Sequence, residues 1–345
     1  MKAAVFQGIR QLSVEEVETP RAGADGVVLS VAACGICGSD LHTYLHGSFV
    51  APGQVMGHEF VGTVVEAGPE VQGISVGDRI TASPLQPCHE CPRCAEGRYN
   101  LCAKAWTQGI AYGKPGAFAE LVRIPQATIG QNVFALDPDM ADEAGAMVEP
   151  LAVAVHAVRL AAPVQGTTAV VTGLGTIGQQ VVQTLRAYGA GRVIGVDVSE
   201  LRLGAARELG AEVLDGRAEL GESLRELLGA DGEVDVIFEC TGVPAVATTI
   251  LEQVRAGGTI VVLALYDDPI TFNPTALVQK EIRLQGSIAY TESDFAEAVS
   301  LLGDGRVKVG PLVTHVLGLD DIGQAFEVQL EKDRSLKVLV TPDGH

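Results

Sequence analysis

Short apolar runs separated by glycines characterise the first 150 residues of the chain. Examples are AAVF, GVVLSVAA, GTVVEAG and DRITAS, with Gly62, Gly68, Gly73 and Gly77 between or beside them. Runs of this length, ended by turn-forming residues, are typical of β-strands. They predict a compact, mainly β, barrel-like unit, without a helix longer than about two turns before Asp142.

The pattern changes near Glu149, where short apolar strands begin to alternate with helical stretches. The strands are TAVVTG, RVIGVD, AEVLD, VDVIFEC and GTIVVLAL, and the helices between them are predicted at residues 177–188, 200–209, 219–228 and 245–254. This alternation is the signature of βαβ units in a parallel sheet. It stops after residue 286, and only a helix near 294–302 and a strand near 336–341 remain.

A chain of 345 residues is too long for one ordinary hydrophobic core, so two domains are expected. The predicted fold class is α/β. The first domain is expected to cover residues 1–152 and to be completed by 288–345, which pack back onto it. The second domain is expected to cover 153–287.

Acidic residues outnumber basic ones, with 43 Asp and Glu against 24 Lys and Arg and a net charge of −19. Such a surface repels nucleic acids and anionic membranes, so neither is expected as a partner. The N-terminus lacks the apolar segment of a signal peptide, and no apolar run approaches the ~18 residues of a membrane span. These features predict a soluble, cytoplasmic protein.

Four of the seven cysteines lie in one stretch, PCHECPRCAEGRYNLC. Cys88, Cys91, Cys94 and Cys102 have the spacing C-x2-C-x2-C-x7-C, which lets short turns return four thiolates to one metal ion. A closed tetrahedral shell has no open position, so the site is predicted to hold a structural zinc ion. The alternative is a redox-active thiol cluster, which needs fewer cysteines.

A second motif follows the strand AVVT directly and opens a helix. Gly173, Gly175 and Gly178 form a G-x-G-x-x-G fingerprint. The first glycine permits a tight turn, the second lets the backbone approach a pyrophosphate, and the third lets helix and strand pack closely. Free N–H groups at the helix start, which includes Thr176 and Ile177, would contact the phosphates. The motif therefore predicts a dinucleotide site.

The next strand ends at Asp197, nineteen residues after Gly178. A carboxylate there accepts hydrogen bonds from the adenosine-ribose hydroxyls and repels a 2′-phosphate, which favours NAD over NADP. The alternative for Asp197 is an acid at the start of the following helix. Arg202, five residues on, either covers the adenine or lies in solvent.

A third group of residues is dispersed along the chain. Cys37 in GICGSD and His58 in MGHE come from different turns and offer a thiolate and an imidazole. A catalytic zinc ion takes three protein ligands and keeps one position for water or substrate. Glu149 is the first candidate for the third ligand, and Glu59 is the second. Taken alone, Cys37 could be a buried thiol and Glu149 a helix-start acid, but their occurrence beside the other two motifs favours a metal site.

With these motifs the chain resembles the zinc-containing medium-chain alcohol dehydrogenase superfamily, and in particular its sorbitol and 2,3-butanediol dehydrogenase branch. The resemblance runs through CGICGSDLH, GHEFVGTVVEAG, VGDRI, the four-cysteine stretch, EPLAVAVHA, GLGTIG and FECTGVP. It implies a GroES-like barrel domain and a Rossmann domain with the active site in the cleft between them. It also implies two zinc ions per chain and a homodimer or homotetramer, with edge pairing of the strands around residues 259–265.

The resemblance also assigns roles to residues. Cys37 and His58 match the first two catalytic zinc ligands. Glu149 falls where this branch has glutamate, and members differ over whether that residue or the equivalent of Glu59 binds the metal directly.

Ser39 and His42 match the family's proton relay, which carries the alcohol proton outward through a cofactor ribose hydroxyl. For His42 the alternative is a surface histidine, and His46 is a weaker candidate for the relay. By the same resemblance, Thr241 and Val243 in FECTGVP are expected beside the nicotinamide half of the cofactor. Leu263, Leu265 and Ser287 are further candidates for cofactor binding.

The predicted function is hydride transfer between NAD and a secondary alcohol, diol or polyol and its ketone. The segment HTYLHGSFVAPGQVM is expected to line the pocket with Tyr44, Leu45 and Phe49, joined by Trp106. Its apolar character suggests a substrate with fewer hydroxyls than sorbitol. Two alternatives are open, namely a zinc-free NADPH quinone or enone reductase on the same fold and a non-catalytic NAD-binding protein.

Overall fold

The computed structural model describes residues 1–271 and 273–342. Contacts within the chain divide these residues into two compact units. Unit 1 contains Met1–Ala152, Tyr290–Gly305 and the residues from Val313 onward. Unit 2 contains Val153–Ala289 and Arg306–Leu312.

The segment 306–312 lies in unit 2, although the sequence predicts it in the first domain. Hydrogen bonds to the Gln183 side chain explain this difference. Its amide nitrogen donates to the Lys308 carbonyl at 2.9 Å, and its amide oxygen accepts from the Lys308 N–H at 2.7 Å. The tail therefore completes unit 1 only in part.

The first 152 residues form mainly β structure, as the short apolar runs predict. The strands are β1 (Lys2–Gly8), β2 (Gln11–Glu16), β3 (Val27–Gly35), β4 (Gln54–Val55), β5 (Glu59–Ala67), β6 (Arg79–Ala82), β7 (Leu121–Ile124) and β8 (Val133–Ala135). One sheet has the order β2-β1-β4, and a larger one contains β3, β5, β6 and β8 with β7 paired to β3. Side chains of both sheets, such as Phe6, Leu29 and Phe60, meet in one apolar core.

Helices lie between and after these strands. They are α1 (Gly38–His46), α2 (Pro92–Ala95), α3 (Ala103–Thr107), α4 (Asp142–Ala146) and α5 (Val148–Ala161), with a 3-10 turn at Tyr99–Leu101. The nine residues of α1 exceed the two turns expected here. A capping box between Cys37 and Asp40 starts this helix, and Gly47 ends it in the left-handed conformation with φ 69°.

Unit 2 is a doubly wound parallel sheet. Its strands are β9 (Thr168–Thr172), β10 (Arg192–Asp197), β11 (Glu212–Asp215), β12 (Val234–Glu239), β13 (Val254–Val262) and β14 (Arg283–Gly286). Its helices are α6 (Thr176–Ala187), α7 (Glu200–Glu208), α8 (Leu220–Leu228), α9 (Pro244–Gln253) and α10 (Thr275–Lys280). Neighbouring residues of one strand point to opposite faces, so Val171 and Phe238 enter one apolar core while Val170 and Ile237 enter the other.

The strand order is β11-β10-β9-β12-β13-β14, and every pairing is parallel. This is the 3-2-1-4-5-6 order of a Rossmann fold, so the prediction of that fold is confirmed. The order reverses between β9 and β12. The loops after these two strands therefore flank the position where such sheets bind dinucleotides.

The expected edge pairing through residues 259–265 is wrong. These residues include the end of β13, which is hydrogen-bonded to β12 on one side and to β14 on the other. A strand with both neighbours in place has no free N–H and C=O row for a second chain. The outer strand on that side of the sheet is β14.

The tail adds α11 (Glu292–Gly303), β15 (Val313–Gly318), α12 (Ile322–Leu330) and β16 (Lys337–Thr341). In unit 1, β16 pairs antiparallel with β3 and parallel with β15, which extends the larger sheet. Only α11 and β16 are predicted from sequence. Among residues 1–271 and 273–342, no helix is long and apolar enough to cross a bilayer.

Candidate metal centres and dinucleotide site

The four cysteines of the predicted structural site lie together, with all Sγ atoms within 4.8 Å of one another. The Sγ atoms of Cys91 and Cys94 are 3.6 Å apart, and those of Cys88 and Cys102 are 3.5 Å apart. A tetrahedron with Zn–S bonds of about 2.3 Å has edges of about 3.8 Å. The short helices α2 and α3 each begin directly after a cysteine, which turns the chain back toward the cluster.

The surroundings of Cys102 favour its thiolate form. Burial opposes the thiolate, but backbone N–H groups, including that of Cys88 at 3.4 Å from the sulfur, outweigh it. They lower the pKa of Cys102 to about 6. Because a metal binds thiolates, this donor set fits a zinc ion. In this structure the residues between Cys88 and Cys102 that surround the cluster are mostly exposed, as a lobe without its own core would be.

The second predicted metal site brings Cys37, His58 and Glu59 together, again with ligand atoms within 4.8 Å of one another. Cys37 caps α1, and His58 directly precedes β5. Gly57 lets the chain turn into His58 with φ 95°. A Cβ at this position would lie 2.7 Å from the Phe118 nitrogen, so only glycine fits.

The Asp40 carboxylate lies beside the His58 ring. Its Oδ1 lies 3.7 Å from His58 Nδ1, and both side chains are 4% exposed. Among the described residues His58 Nδ1 has no hydrogen-bond partner of good geometry. Burial would lower the pKa of His58, but the acidic groups around it, led by Asp40, raise this pKa well above its usual range. A carboxylate beside the second imidazole nitrogen and an excess of negative charge are what a bound divalent cation requires.

Glu59 forms a buried ion pair with Lys337. Lys337 Nζ lies 2.5 Å from Glu59 Oε2 and also donates to the Ile36 carbonyl at 2.9 Å. Gly35 provides the space, because a Cβ there would lie 2.2 Å from Glu59 Oε2. Lys337 therefore holds the carboxylate that lies beside Cys37 and His58.

Glu149, the first candidate for the third ligand, lies outside this close group but near it. Burial raises the pKa of Glu149 to about 7, and the His58 imidazole opposes that rise. Tyr290 lies beside Glu149, and Ser83 lies beside Tyr290, whose hydroxyl has no hydrogen bond of good geometry among the described residues. The close group thus contains Glu59, the second candidate, with Glu149 as a neighbour.

Ser39 and His42, the predicted relay residues, both lie on α1. The Ser39 Oγ is 3.2 Å from the Tyr112 hydroxyl. The His42 ring lies 6.0 Å from that of His46 and 6.5 Å from that of Phe49. Tyr112 is not predicted from sequence.

Tyr44 and Leu45 do not line a pocket, in contrast to the prediction. Tyr44 is buried, its ring lies 5.1 Å from Phe326, and its hydroxyl donates to Glu327 at 2.8 Å. Leu45 packs against the same apolar core. The helical period of α1 turns these two side chains away from the face that carries Ser39. Phe49 is 55% exposed.

We expect that replacing Lys337 with methionine will lower the free energy of unfolding of the metal-free protein by about 3–5 kcal/mol, because Glu59 is left buried without a partner. Denaturant unfolding measures this change. The double variant with Glu59→Gln should recover much of the loss, since no unpaired charge remains. Equal stability of the Lys337→Met variant and the wild type would show that the pair is unimportant.

The glycine fingerprint lies in the loop between β9 and α6. Gly173 has φ 84° and packs on Cys240, whose carbonyl would be 2.9 Å from a Cβ. A Cβ on Gly178 would lie 1.9 Å from the Gly173 oxygen. At Gly175 the nearest atom is 4.0 Å away, so this position is open to a ligand. Thr176 and Ile177 form the first turn of α6, whose free N–H groups suit a pyrophosphate.

Asp197 ends β10 beside this loop. One carboxylate oxygen accepts from the Leu174 N–H at 2.7 Å, and the other accepts from the N–H groups of Val198 and Ser199. Arg202 Nη1 lies 3.7 Å from the carboxylate and close to Gly175. Asp197 thus holds the glycine loop in place, a role that the sequence does not reveal.

The other residues predicted to bind the cofactor lie at the carboxyl ends of β12, β13 and β14. Buried Glu239 accepts hydrogen bonds from both the N–H and the hydroxyl of Thr241 and from the Tyr266 hydroxyl. Val243 is 46% exposed. The remaining positions follow the strand ends: Leu263 and Leu265 follow β13, and Ser287 follows β14. Carboxyl strand ends at the switch point are where dinucleotides bind in such sheets.

Comparison with known proteins identifies the family. The family described as "Alcohol dehydrogenase GroES-like domain" matches residues 23–133, and "Zinc-binding dehydrogenase" matches residues 176–304. The (R,R)-butanediol dehydrogenase of Bacillus subtilis is 34% identical over 99% of this chain and 100% of its own. The sorbitol dehydrogenase of Bacillus subtilis is 33% identical over 99% of this chain and 98% of its own.

Solved structures agree in fold. A short chain alcohol dehydrogenase (rspB) from E. coli CFT073, complexed with the cofactor NADH, has a TM-score of 0.90 at 28% identity. A protein from Sinorhizobium meliloti 1021 bound to NADP has a TM-score of 0.89 at 32% identity. Each comparison covers 99% of both chains. Together with the two metal-ligand clusters and the Rossmann sheet, these matches show that the chain belongs to the zinc-containing medium-chain alcohol dehydrogenase superfamily.

Proposed function

We propose that this protein is an NAD-dependent zinc alcohol dehydrogenase that interconverts a secondary alcohol, diol or polyol and its ketone. The observation that carries the proposal is the close group of Cys37, His58 and Glu59 in a chain that also has the switch-point glycine loop. The diol and polyol classes are supported by the relatives named butanediol and sorbitol dehydrogenase.

Two zinc ions per chain suit the donor sets. Four thiolates make a closed shell, which is the arrangement of a structural site. Cys37, His58 and a carboxylate, either Glu59 or Glu149, make three protein ligands and leave one position open. A zinc ion held by these three ligands would supply Lewis-acid polarisation of the substrate oxygen.

The chain's own residues bind the substrate and move its proton. The Ser39 hydroxyl can accept the alcohol proton and donate its own, because a hydroxyl is both donor and acceptor. His42, one turn further along α1, would pass the proton outward, because an imidazole can both accept and donate a proton. Asp40, whose carboxylate lies 3.7 Å from His58 Nδ1, would help to orient the His58 ring.

The residues that would bind the cofactor lie in unit 2. The open backbone at Gly175 and the first turn of α6 would hold the pyrophosphate. Asp197 would accept the ribose hydroxyls and exclude a 2′-phosphate. Thr241, fixed by Glu239, would contact the nicotinamide half.

Replacing Asp197 with alanine is expected to lower kcat/KM for NAD by about 10–100-fold, since hydrogen bonds to a charged group are lost. Use of NADP relative to NAD should rise, because the repulsion of its 2′-phosphate disappears. Steady-state kinetics with both cofactors measure the change. Asp215→Ala, at the end of the neighbouring strand β11, is the matched control and should leave the NAD to NADP ratio as it is.

The direct test of the function is NADH formation with a panel of secondary alcohols, diols and polyols, followed by absorbance. The proposal predicts turnover of several of them with NAD and none in the protein stripped of zinc. Reduction of a quinone or enone by NADPH in zinc-free protein would overturn it. So would the absence of any turnover across the panel by protein that binds NAD and holds two zinc ions.

A further inference from the structure

Tyr112 stands on a tight and strained loop. The preceding residue, Ala111, is buried and has φ 69°, a left-handed conformation that costs about 1–2 kcal/mol for a residue with a Cβ. The Gly113 N–H donates to the Gly109 carbonyl at 2.9 Å. A Cβ on Gly113 would lie 1.9 Å from the Thr107 oxygen, so the loop packs tightly against the backbone at Thr107. Strain of this kind persists where the surroundings fix it, and it is concentrated at functional sites.

The loop directs Tyr112 to the candidate catalytic metal site. The phenol oxygen lies 3.2 Å from Ser39 Oγ, and the ring centroid lies 5.3 Å from that of His58. On the other side the ring meets Trp106 edge to face at 5.7 Å.

We propose that Tyr112 is a specificity-determining residue whose hydroxyl, paired with that of Ser39, binds a second oxygen on the carbon next to the reacting one. The protein would then select vicinal diols and their hydroxyketones over simple secondary alcohols. The inference rests on the proposed function and names its substrate class.

The spacing of the two hydroxyls supports this assignment. Oxygens on adjacent carbons in the gauche form lie about a hydrogen-bond length apart, as the Ser39 and Tyr112 oxygens do at 3.2 Å. Tyr112 can donate to Ser39 and accept from the second substrate hydroxyl, while Ser39 serves the reacting oxygen. A simple alcohol would leave the phenol acceptor without this partner, which costs affinity.

The other groups near the site are polar as well. Glu149 and Tyr290 lie close to Tyr112, and the Tyr290 hydroxyl lacks a well-formed hydrogen bond among the described residues. Of the side chains expected to line the pocket, Tyr44 lies in the apolar core and Leu45 packs against that core. These polar groups therefore suit a hydroxylated substrate better than a hydrocarbon-like one.

The first test compares wild type and Tyr112→Phe on 2,3-butanediol and 2-butanol, which share a carbon skeleton. We expect kcat/KM for the diol to fall by about 10–100-fold in the variant, with the mono-alcohol changed by less than about 3-fold. Zinc content and melting temperature should stay as in the wild type. Tyr99→Phe, a half-buried tyrosine of the cysteine lobe, is the matched control and should change neither substrate.

The second test measures binding without turnover. Trp106 is the only tryptophan of the chain and touches Tyr112, so its fluorescence should report occupancy. In cofactor-free protein with its metal, the diol should bind at least about 10-fold more tightly than the mono-alcohol, and Tyr112→Phe should remove this difference.

Two results would overturn the inference: an equal loss for both alcohols in Tyr112→Phe, or a diol preference that survives the substitution. Failure of the proposed function is distinguishable. It would appear as no NADH from either alcohol in the wild type, whereas the fluorescence preference would still be measurable.

Discussion

Cys37→Ala is expected to lower the turnover of a secondary alcohol by at least about 10³-fold, because Lewis-acid stabilisation of the reacting oxygen is worth several kcal/mol. One zinc ion per chain should be lost with the thiolate, while the four-cysteine lobe keeps the other. NADH formation and metal analysis on the same preparation measure both changes. The fold should persist, since Cys37 is half-buried at the start of α1 and outside the apolar core.

Cys34→Ala is the matched control for this variant. Cys34 is fully buried in β3, three residues before Cys37, and packs in the core of unit 1. Its loss should cost about 1 kcal/mol of stability and leave zinc content and turnover near those of the wild type. If Cys37→Ala kept full activity, the assignment of this group as the catalytic metal site would be wrong.

Cys102→Ala is expected to remove the other zinc ion and to lower the melting temperature by at least about 10 °C. Structural zinc contributes roughly 10–16 kcal/mol to small finger domains, and a loss of even a few kcal/mol shifts the melting temperature of a domain this size by that amount. Calorimetry and metal analysis test the prediction. The lobe depends on the metal because most of its residues between Cys88 and Cys102 are exposed.

The control for the lobe is Cys240→Ala, a thiol outside both clusters, in unit 2. Its replacement should keep both zinc ions and most of the stability. A Cys102→Ala protein that melts at the wild-type temperature with two zinc ions bound would contradict a structural role for the cluster.

Local sequence spacing predicts the parts of these sites that are close along the chain. The cysteine cluster spans Cys88 to Cys102, and the glycine loop spans Gly173 to Gly178, so short turns determine both. Alternating strands and helices likewise predict the parallel sheet of unit 2. These features depend on local turn chemistry and period, which a single sequence contains.

Partners from distant segments cannot be predicted in this way. Lys337 lies in a strand 278 residues from Glu59, and nothing in SLKVLVT marks it as a partner for a carboxylate. Tyr112 is brought to Ser39 only by the turn at Ala111, whose left-handed conformation is unexpected for alanine. Such contacts arise from tertiary packing.

Two predictions are wrong for identifiable reasons. Tyr44 and Leu45 share α1 with Ser39, but the helical period places them on the core face, which a linear reading of the segment overlooks. RLQG, the sequence of β14, has too few apolar residues to be recognised as a strand. The sequence therefore predicts the outer strand of the sheet near residue 260, one strand too early. The side chains of β14 are mostly exposed, so a buried apolar run is absent there.

The most direct test of the central claim follows one hydrogen atom. The protein, loaded with two zinc ions, is given NAD and a secondary alcohol that carries deuterium on the carbinol carbon, and the reduced cofactor is analysed by mass spectrometry. We predict that each NADH formed contains that deuterium. Unlabelled NADH, or labelled NADH formed equally well by the Cys37→Ala protein, would contradict metal-assisted hydride transfer at this site.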